Sequence, residues 1–336
     1  MIHPLPEIRN IPAWQAELAR AFARPAELLD FLGLPADLPA LGPAALREFP
    51  LRVPRGFASR MVRGDPRDPL FLQVWGAPAE ALDAPGYTDD AVGDLDKLRP
   101  GGLIHKYQGR VLVMATGACA VHCRYCFRRH FPYGEQLASR NHWRTALQEI
   151  AADHSIEEVI LSGGDPLSLP DERLAELTEA LEFIPHVRRL RLHTRQPIVL
   201  PERIDDGFLR WLARGRLQKV MVVHANHANE LDDAVAAALK AIAATGTTLL
   251  NQSVLLRGVN DLTEVLESLS KRLFECAVLP YYLHMLDRVR GTAHFEVTDE
   301  SARALMHALS ARLPGYLLPR LVREVAGAAA KTPLDW

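Results

Sequence analysis

Short apolar runs of strand length alternate with longer amphipathic segments over the last two thirds of the chain. From about residue 103 the runs are VLVMA from 111, VILSG from 159, LRLHT from 190, VMVVH from 220, TTLLNQSVLL from 247 and VLPYYLH from 278. The helical patterns are NHWRTALQEIAAD, DERLAELTEALEFI, DDGFLRWLARG, ELDDAVAAALKAIAATG, DLTEVLESLSKRLF and DESARALMHALSARL. This alternation predicts right-handed βαβ units and a parallel sheet. Six such units predict an α/β fold. They favour a full or partial barrel of the (β/α)6 type over an open doubly wound sheet.

The first hundred residues lack this rhythm. They are rich in proline and alanine and contain short helical patterns, IPAWQAELARAF and PAELLDFLGL. A stretch rich in Asp, Pro and Gly then runs from Arg63 to Asp94. Because so long a linker is unusual in a compact protein, we expect it to pack on the core. The sequence therefore predicts a mostly helical N-terminal extension over residues 1–100 and a barrel core over residues 101–336.

Composition and charge exclude several classes of protein. The 336 residues carry 39 basic and 41 acidic side chains, a balance that argues against a general nucleic-acid or membrane-surface binder. No apolar stretch reaches the length of a membrane span, since Lys240 interrupts the most alanine-rich one. The start, MIHPLPEIRN, lacks the pattern of a signal peptide. We expect a cytoplasmic protein that binds neither membranes nor nucleic acid.

Three of the four cysteines form the motif CAVHCRYC, with Cys119, Cys123 and Cys126 at C-x3-C-x2-C spacing. A structural zinc site needs four ligands, and the candidates for the fourth are His122, His130 and Cys276. A redox CxxC motif needs only two cysteines. Three thiolates in a short loop suit three irons of a [4Fe–4S] cluster and leave one iron open. We favour the cluster over zinc or inert thiols, and expect Cys276 to be a buried apolar residue.

The cysteine motif follows a strand and ends Cys-Phe, and it resembles that of the radical S-adenosylmethionine (SAM) superfamily, whose cores are TIM-like partial barrels. In that superfamily the open iron chelates SAM, and an electron from the cluster releases a 5′-deoxyadenosyl radical. SGGDPL also follows a strand and resembles the superfamily's GGE-type loop, whose backbone meets SAM. The resemblance implies SAM contacts at Ser162, Gly163, Gly164 and Asp165. Gly-Gly-Asp-Pro alone is also an ordinary turn.

Longer motifs resemble one family within that superfamily, the lysine 2,3-aminomutases. They are HKYQGRVLVMATGACAVHCRYCFRRHF, LSGGDPLSL, HANHANE, NQSVLLRGVND, PYYLHMLD and KTPL. The phrases CRYCFRRHFPY, LLPRLVREV and KTPLD most resemble the family's short form, which makes (R)-β-lysine for elongation factor P. This likeness implies that Lys331 carries pyridoxal phosphate (PLP) as a Schiff base. It places Arg110 near the PLP phosphate and Tyr107 against the ring.

One departure affects the PLP segment. The stretch before Lys331 reads AGAAAK, with only Gly327, where known relatives keep more glycines. Alanine restricts the backbone, so the loop path is expected to differ. Four residues near strand ends are expected to touch SAM or PLP. These are His224, Asn226, Asn251 and Gln252.

The likeness also implies how the two ends of the substrate are recognised. Arg128 matches the arginine that binds the α-carboxylate, a task that suits a guanidinium fork, and Arg129 is expected to support it. Asp287 and Glu324 match two acids that bind the ε-ammonium. Because glutamate would be repelled by these acids, they favour lysine as the substrate.

The resemblance therefore predicts a PLP-dependent radical SAM L-lysine 2,3-aminomutase, an isomerase that converts (S)-α-lysine to (R)-β-lysine. Its expected partners are elongation factor P, the β-lysine ligase that modifies it, and an external reductant of the flavodoxin or ferredoxin type. One alternative is a radical SAM aminomutase acting on glutamate or arginine. Another is a non-enzymatic iron–sulfur or zinc protein.

Overall fold

A computed structural model of the protein describes residues 11–136 and 142–336. Its helices are α1 (Ala13–Ala19), α2 (Pro25–Leu32), α3 (Pro43–Glu48), α4 (Arg55–Ala58), α5 (Pro69–Leu72), α6 (Tyr133–Gln136), α7 (His142–Ala152), α8 (Asp171–Glu182), α9 (Gln196–Val199), α10 (Asp206–Leu212), α11 (Asp233–Ala244), α12 (Thr263–Glu275) and α13 (Asp299–Ser310). Its strands are β1 (Leu98–Arg99), β2 (Leu103–Tyr107), β3 (Arg110–Thr116), β4 (Glu158–Gly163), β5 (Arg189–Thr194), β6 (Gln218–Val223), β7 (Thr248–Val254), β8 (Leu279–His284), β9 (Arg320–Arg323) and β10 (Thr332–Pro333).

The strands form one sheet in chain order, and those from β3 to β9 run parallel. The six predicted strands are β3 to β8, so the predicted α/β fold and partial barrel are confirmed. Antiparallel strands β1 and β2 extend one edge, and β10 pairs with β9 at the other. The predicted helix NHWRTALQEIAAD starts at Asn141, outside the described residues, and continues as α7.

The longer helices that follow β3 cover the sheet because they present apolar residues to it. In α8, Leu174, Leu177 and Leu181 are buried at the spacing of one helix face, and Asp171 and Glu172 occupy the first turn, where the helix dipole favours acids. These leucines join a large apolar core between the parallel strands and the helices. Nowhere in the part of the chain that the structure describes is a helix long and apolar enough to cross a membrane.

The segment before β1 has its own apolar core, which reaches the cysteine loop (residues 117–130). Trp14, Phe22 and Phe57 pack in one cluster with Ala120 and Val121 of that loop. The backbone joins the two parts as well. His122 N donates to Arg52 O at 3.0 Å, and Arg124 N donates to Gln73 O at 2.8 Å. The first hundred residues therefore support the loop that carries the three cysteines.

Candidate functional site

A cavity of about 560 Å³ opens at the carboxyl ends of the parallel strands, where (β/α) barrels place their chemistry. The structure brings fifteen of the predicted site residues to its wall. They are Tyr107, Arg110, Cys119, Cys123, Cys126, Arg128, Ser162, Gly163, Gly164, Asp165, His224, Gln252, Asp287, Glu324 and Lys331. Asn226 lines it too. Asn251 does not contribute to this wall, because its amide binds the Ala225 backbone and Ser253 Oγ.

The three clustered cysteines are free thiols at this cavity, held in a tight loop by the bond from Cys126 N to Cys123 O. Burial raises the pKa of the Cys126 thiol to about 11, and the neighbouring Cys123 adds to the rise. Ionising the Cys126 thiol in place therefore requires compensating positive charge, which iron supplies. Cys276 is fully buried, as predicted.

The arrangement of the thiols bears on which metal group they suit. No group of three or more His, Cys, Asp or Glu side chains within residues 11–136 and 142–336 has the geometry of a metal-ion site. A [4Fe–4S] cluster instead places each thiolate on a separate iron, so it needs three thiols around a shared space. The three free thiols all line one cavity wall, the side from which such a cluster would be held.

The SGGD turn after β4 lies directly against the cysteine loop. Gly163 adopts a φ of +122°, and a Cβ on it would come within 2.3 Å of Thr116 O. A Cβ on Gly164 would come within 2.4 Å of Ala118 O. Gly164 N also donates to Thr116 O at 2.7 Å. Glycine is thus required at both positions, because only its backbone can approach the end of β3 and the start of the cysteine loop this closely.

Asp165 has both carboxylate oxygens occupied by the protein. Oδ1 accepts from Thr194 Oγ1 at 2.7 Å and from Leu167 N at 3.0 Å. Oδ2 accepts from Arg195 N at 2.8 Å and from Gln196 N at 3.1 Å. This side chain therefore ties the SGGD turn to the end of β5, and the turn's backbone is what remains for a ligand.

We expect Gly163→Ala to destabilise the protein and to impair cluster retention. The φ of +122° and the 2.3 Å approach to Thr116 O both oppose a methyl group, and together cost at least about 2 kcal/mol. Urea unfolding and iron content measure the two effects. Gly315→Ala is the matched control, since its Cβ would meet nothing within 4 Å. Equal stability of the two variants would contradict the argument.

Each arginine of the cysteine loop pairs with an acid from the first hundred residues. Arg128 donates from Nε to Asp94 Oδ2 at 2.7 Å and from Nη1 to Ser162 Oγ at 3.1 Å. Arg124 and Arg129 share Glu80, with shortest contacts of 2.6 and 2.7 Å. The terminal nitrogens of Arg128 keep N–H groups that neither contact uses.

A hairpin places Lys331 beside Glu324. Strands β9 and β10 pair so that Thr332 faces Arg323, which sets the next residues, Lys331 and Glu324, opposite each other. Lys331 Nζ donates to Glu324 Oε2 at 2.8 Å. Tyr107 donates its hydroxyl to Glu324 Oε1 at 2.5 Å, and the Arg110 guanidinium lies 4.6 Å from the Tyr107 ring centroid. Burial acts to raise the pKa of Glu324, but Lys331, the Tyr107 hydroxyl and Lys106 together outweigh it, so the pKa is lowered.

Asp287 differs from Glu324 in lacking a partner. No described residue donates a hydrogen bond to its carboxylate in the structure. Burial raises the pKa of Asp287 to about 7, with Lys331 opposing the rise and Glu324 adding to it. A cation placed beside this group would restore its ordinary ionisation.

Two other predicted residues present unsatisfied polar atoms to the cavity. His224 Nε2 and Gln252 Oε1 are buried without a hydrogen-bond partner among the described residues. Burial, with the charges of Arg195 and Arg128, lowers the pKa of His224 to about 3, so the ring is neutral. Buried polar atoms are normally satisfied, and a bound ligand would satisfy these.

Four charged residues at the site were not predicted. Lys106 contacts Asp94 Oδ1 at 2.6 Å and Glu324 Oε1 at 3.7 Å, while Asp94 and Glu80 hold the loop arginines. Nothing in the local pattern around these three distinguishes them from surface charges. Arg195 lies in HTRQP, one of the polar segments that follow predicted strands. That position is the one feature of the sequence that points to a role for Arg195 at the site.

The chain is similar to several known proteins. Residues 113–269 match the family model described as Radical SAM superfamily. An L-lysine 2,3-aminomutase of Escherichia coli (strain K12) is 48% identical over 323 residues, covering 96% of this chain and 94% of that protein. One from Haemophilus influenzae is 48% identical over 327 residues, covering 97% of each. A solved radical SAM methyltransferase from Sphaerobacter thermophilus covers 66% of this chain and 68% of its own, at 19% identity and a TM-score of 0.46.

The fold and the cysteine loop define a radical SAM enzyme. The chain belongs to the L-lysine 2,3-aminomutase family. This confirms the predicted family and the predicted enzyme class, an isomerase of the intramolecular aminotransferase type. It also confirms the predicted cofactors, because the family uses a [4Fe–4S] cluster, SAM and PLP.

Proposed function

We propose that the protein converts (S)-α-lysine to (R)-β-lysine and that the cavity residues divide the work as the sequence predicts. The observation that carries this proposal is the placement of Lys331, Asp287 and Glu324 on the same cavity wall as Arg128 and the three cysteines. Acids after β8 and β9 suit an ammonium, and an arginine after β3 suits a carboxylate. The cavity is therefore charged to receive a diamino acid in one orientation.

The cofactor sites follow from the donor sets. When bound, the cluster with SAM supplies a carbon-centred radical, and PLP supplies a π system through which an amino group can migrate. Cys119, Cys123 and Cys126 would hold the cluster. The glycine backbone of the SGGD turn would contact SAM. His224 Nε2 and Gln252 Oε1, which have no hydrogen-bond partner among the described residues, would contact SAM or PLP. Lys331 would carry PLP, with Tyr107 and Arg110 beside it.

Arg128 would bind the substrate carboxylate with its terminal nitrogens. The guanidinium is already held at two points, because Nε donates to Asp94 and Nη1 donates one hydrogen to Ser162. The opposite edge of the fork stays available for a carboxylate in bidentate geometry. Asp94 is thus a positioning residue for Arg128.

Asp287 and Glu324 would bind the substrate ε-ammonium. Glu324 holds the Lys331 ammonium in this structure, which shows that the wall accommodates an alkylammonium group. Asp287 has no such partner among the described residues and is the free acid of the pair. Substrate lysine would supply the cation that Asp287 lacks.

We further propose a cytoplasmic role in the β-lysylation of elongation factor P, with a β-lysine ligase and a flavodoxin- or ferredoxin-type reductant as functional partners. The likeness of CRYCFRRHFPY, LLPRLVREV and KTPLD to the short form supports this role.

The decisive experiment is anaerobic incubation of the reconstituted protein with SAM, PLP, dithionite and one amino acid, followed by chiral chromatography. We expect (R)-β-lysine from L-lysine and no rearrangement of L-glutamate or L-arginine. Rearrangement of either of these in place of lysine would overturn the substrate assignment. A colourless, zinc-loaded protein without iron would overturn the enzyme assignment.

The raised pKa of Asp287 predicts a pH dependence of substrate binding. With a pKa of about 7, Asp287 is mostly protonated at pH 6 and mostly ionised at pH 8, whereas the lysine ammonium stays charged throughout. The KM for lysine is therefore expected to be about tenfold higher at pH 6 than at pH 8. Asp287→Asn should raise KM at pH 8 and flatten the profile. A profile that persists in this variant would assign the titration to another group.

A further inference from the structure

Arg195 directly contacts one of the three cysteine sulfurs. It follows β5, and its Nη1 donates to Cys123 Sγ at 2.8 Å. The residue is only 5% exposed, and the Phe57 and Tyr125 ring centroids lie 5.4 and 5.5 Å from its guanidinium carbon. Apolar surroundings of this kind exclude water and strengthen the electrostatic effect of the charge on the sulfur.

Several fixed groups aim Arg195 at the sulfur. Nη2 donates to Gln73 Oε1 at 2.7 Å and to Glu230 Oε2 at 2.8 Å, and its backbone N is held by Asp165. Glu230 is itself fully buried. Its Oε1 accepts from Asn226 N at 2.8 Å and from His227 N at 3.1 Å. The guanidinium therefore cannot turn away from Cys123 without breaking several buried hydrogen bonds.

We propose that Arg195 acts through Cys123 to set the reduction potential of the [4Fe–4S] cluster. This inference rests on the proposed placement of the cluster on the three cysteines. One electron from an external low-potential donor reduces the cluster and makes its sulfurs more negative. A hydrogen bond from a cation to a ligand sulfur therefore stabilises the reduced form more than the oxidised form. Glu230 opposes this effect, because its negative charge offsets that of Arg195.

The test is a redox titration of the reconstituted protein, with the reduced cluster followed by its EPR signal. For Arg195→Gln, we expect the ratio of reduced to oxidised cluster at a fixed potential to fall about tenfold, which corresponds to a midpoint about 59 mV more negative. Arg195→Lys, which keeps the charge, should shift less in the same direction. Glu230→Gln should shift the midpoint in the opposite direction.

Arg203→Gln is the matched control. Arg203 is another fully buried arginine, but its bonds go to Leu167 O, Leu169 O and Asp171. Its variant should keep the wild-type midpoint. If Arg195 had only a structural role, the midpoint potential would stay unchanged in Arg195→Gln, or it would shift in the same direction in Arg195→Gln and Glu230→Gln. Either result overturns the inference. If Arg195→Gln retains no cluster, the shifts of Arg195→Lys and Glu230→Gln decide. Absence of iron from the wild-type protein would instead overturn the proposed function.

Discussion

Replacement of Lys331 by alanine is expected to abolish the rearrangement of lysine and the retention of PLP together. The hairpin of β9 and β10 places the Lys331 amine at the cavity wall, 2.8 Å from Glu324. Alanine removes the amine on which covalent attachment of the cofactor depends. Losses on removing such a group are about 10⁴-fold to 10⁶-fold in turnover. Chiral product analysis and the visible absorbance of bound PLP measure the two effects.

Lys331→Arg separates the covalent role of this residue from its charge. Arginine keeps a cation beside Glu324, so the hairpin should fold normally, but a guanidinium cannot replace the amine. We expect this variant to be as inactive as Lys331→Ala. Iron content and the EPR signal should match the wild type in both variants, since Lys331 does not contact the cysteine loop. Turnover in either variant would remove Lys331 from its proposed role.

The parallel strands β3 to β8 were predictable because each is a short apolar run bounded by helices of clear period. Strand β9 was missed, since RLVR has an arginine at each end and only two buried residues. Strand β10 contains two exposed residues and exists only through its pairing with β9. Such strands are specified by tertiary contacts, which local pattern does not record.

The alanine-rich segment before Lys331 shows how a departure from the family pattern is accommodated. Gly327 takes a φ of +81°, whereas none of the three alanines before Lys331 has a positive φ. The turn between β9 and β10 therefore needs glycine at one position only. The alanines are visible in the sequence, but the backbone path that tolerates them is visible only in the structure.

The residues that bear chemistry were visible as motifs, whereas their supports were not. Arg128 stands in the cysteine motif, but its partner Asp94 lies 34 residues earlier, in a stretch without helical or strand period. Glu80 lies 44 residues before Arg124, and Gln73 lies 122 residues before Arg195. The division into an extension over residues 1–100 and a core over residues 101–336 stays a prediction. These contacts nevertheless give the early residues a defined task, the support of the cysteine loop.

Glu80→Ala should therefore be strongly destabilising, although Glu80 lies outside every motif. Its carboxylate accepts from Arg124 Nε at 2.9 Å, from Arg124 Nη2 at 2.6 Å and from Arg129 Nη2 at 2.7 Å. Arg124 is fully buried, and it stands between Cys123 and Cys126 in the sequence. Removing one partner of a buried ion pair leaves an uncompensated charge and costs about 3–5 kcal/mol. Urea unfolding should show this loss.

The same substitution should also weaken cluster retention, because the stranded arginines are part of the cysteine loop. Iron bound per protein after desalting measures that effect. Glu17→Ala is the matched control from the same extension. Among the described residues Glu17 forms its ion pair with Arg20, an exposed residue, and such pairs contribute at most about 1 kcal/mol. If Glu80→Ala and Glu17→Ala have the same free energy of unfolding and bind the same amount of iron, the cysteine loop does not depend on the extension. A larger loss in both measurements would show that an acid in the first hundred residues controls the cluster site.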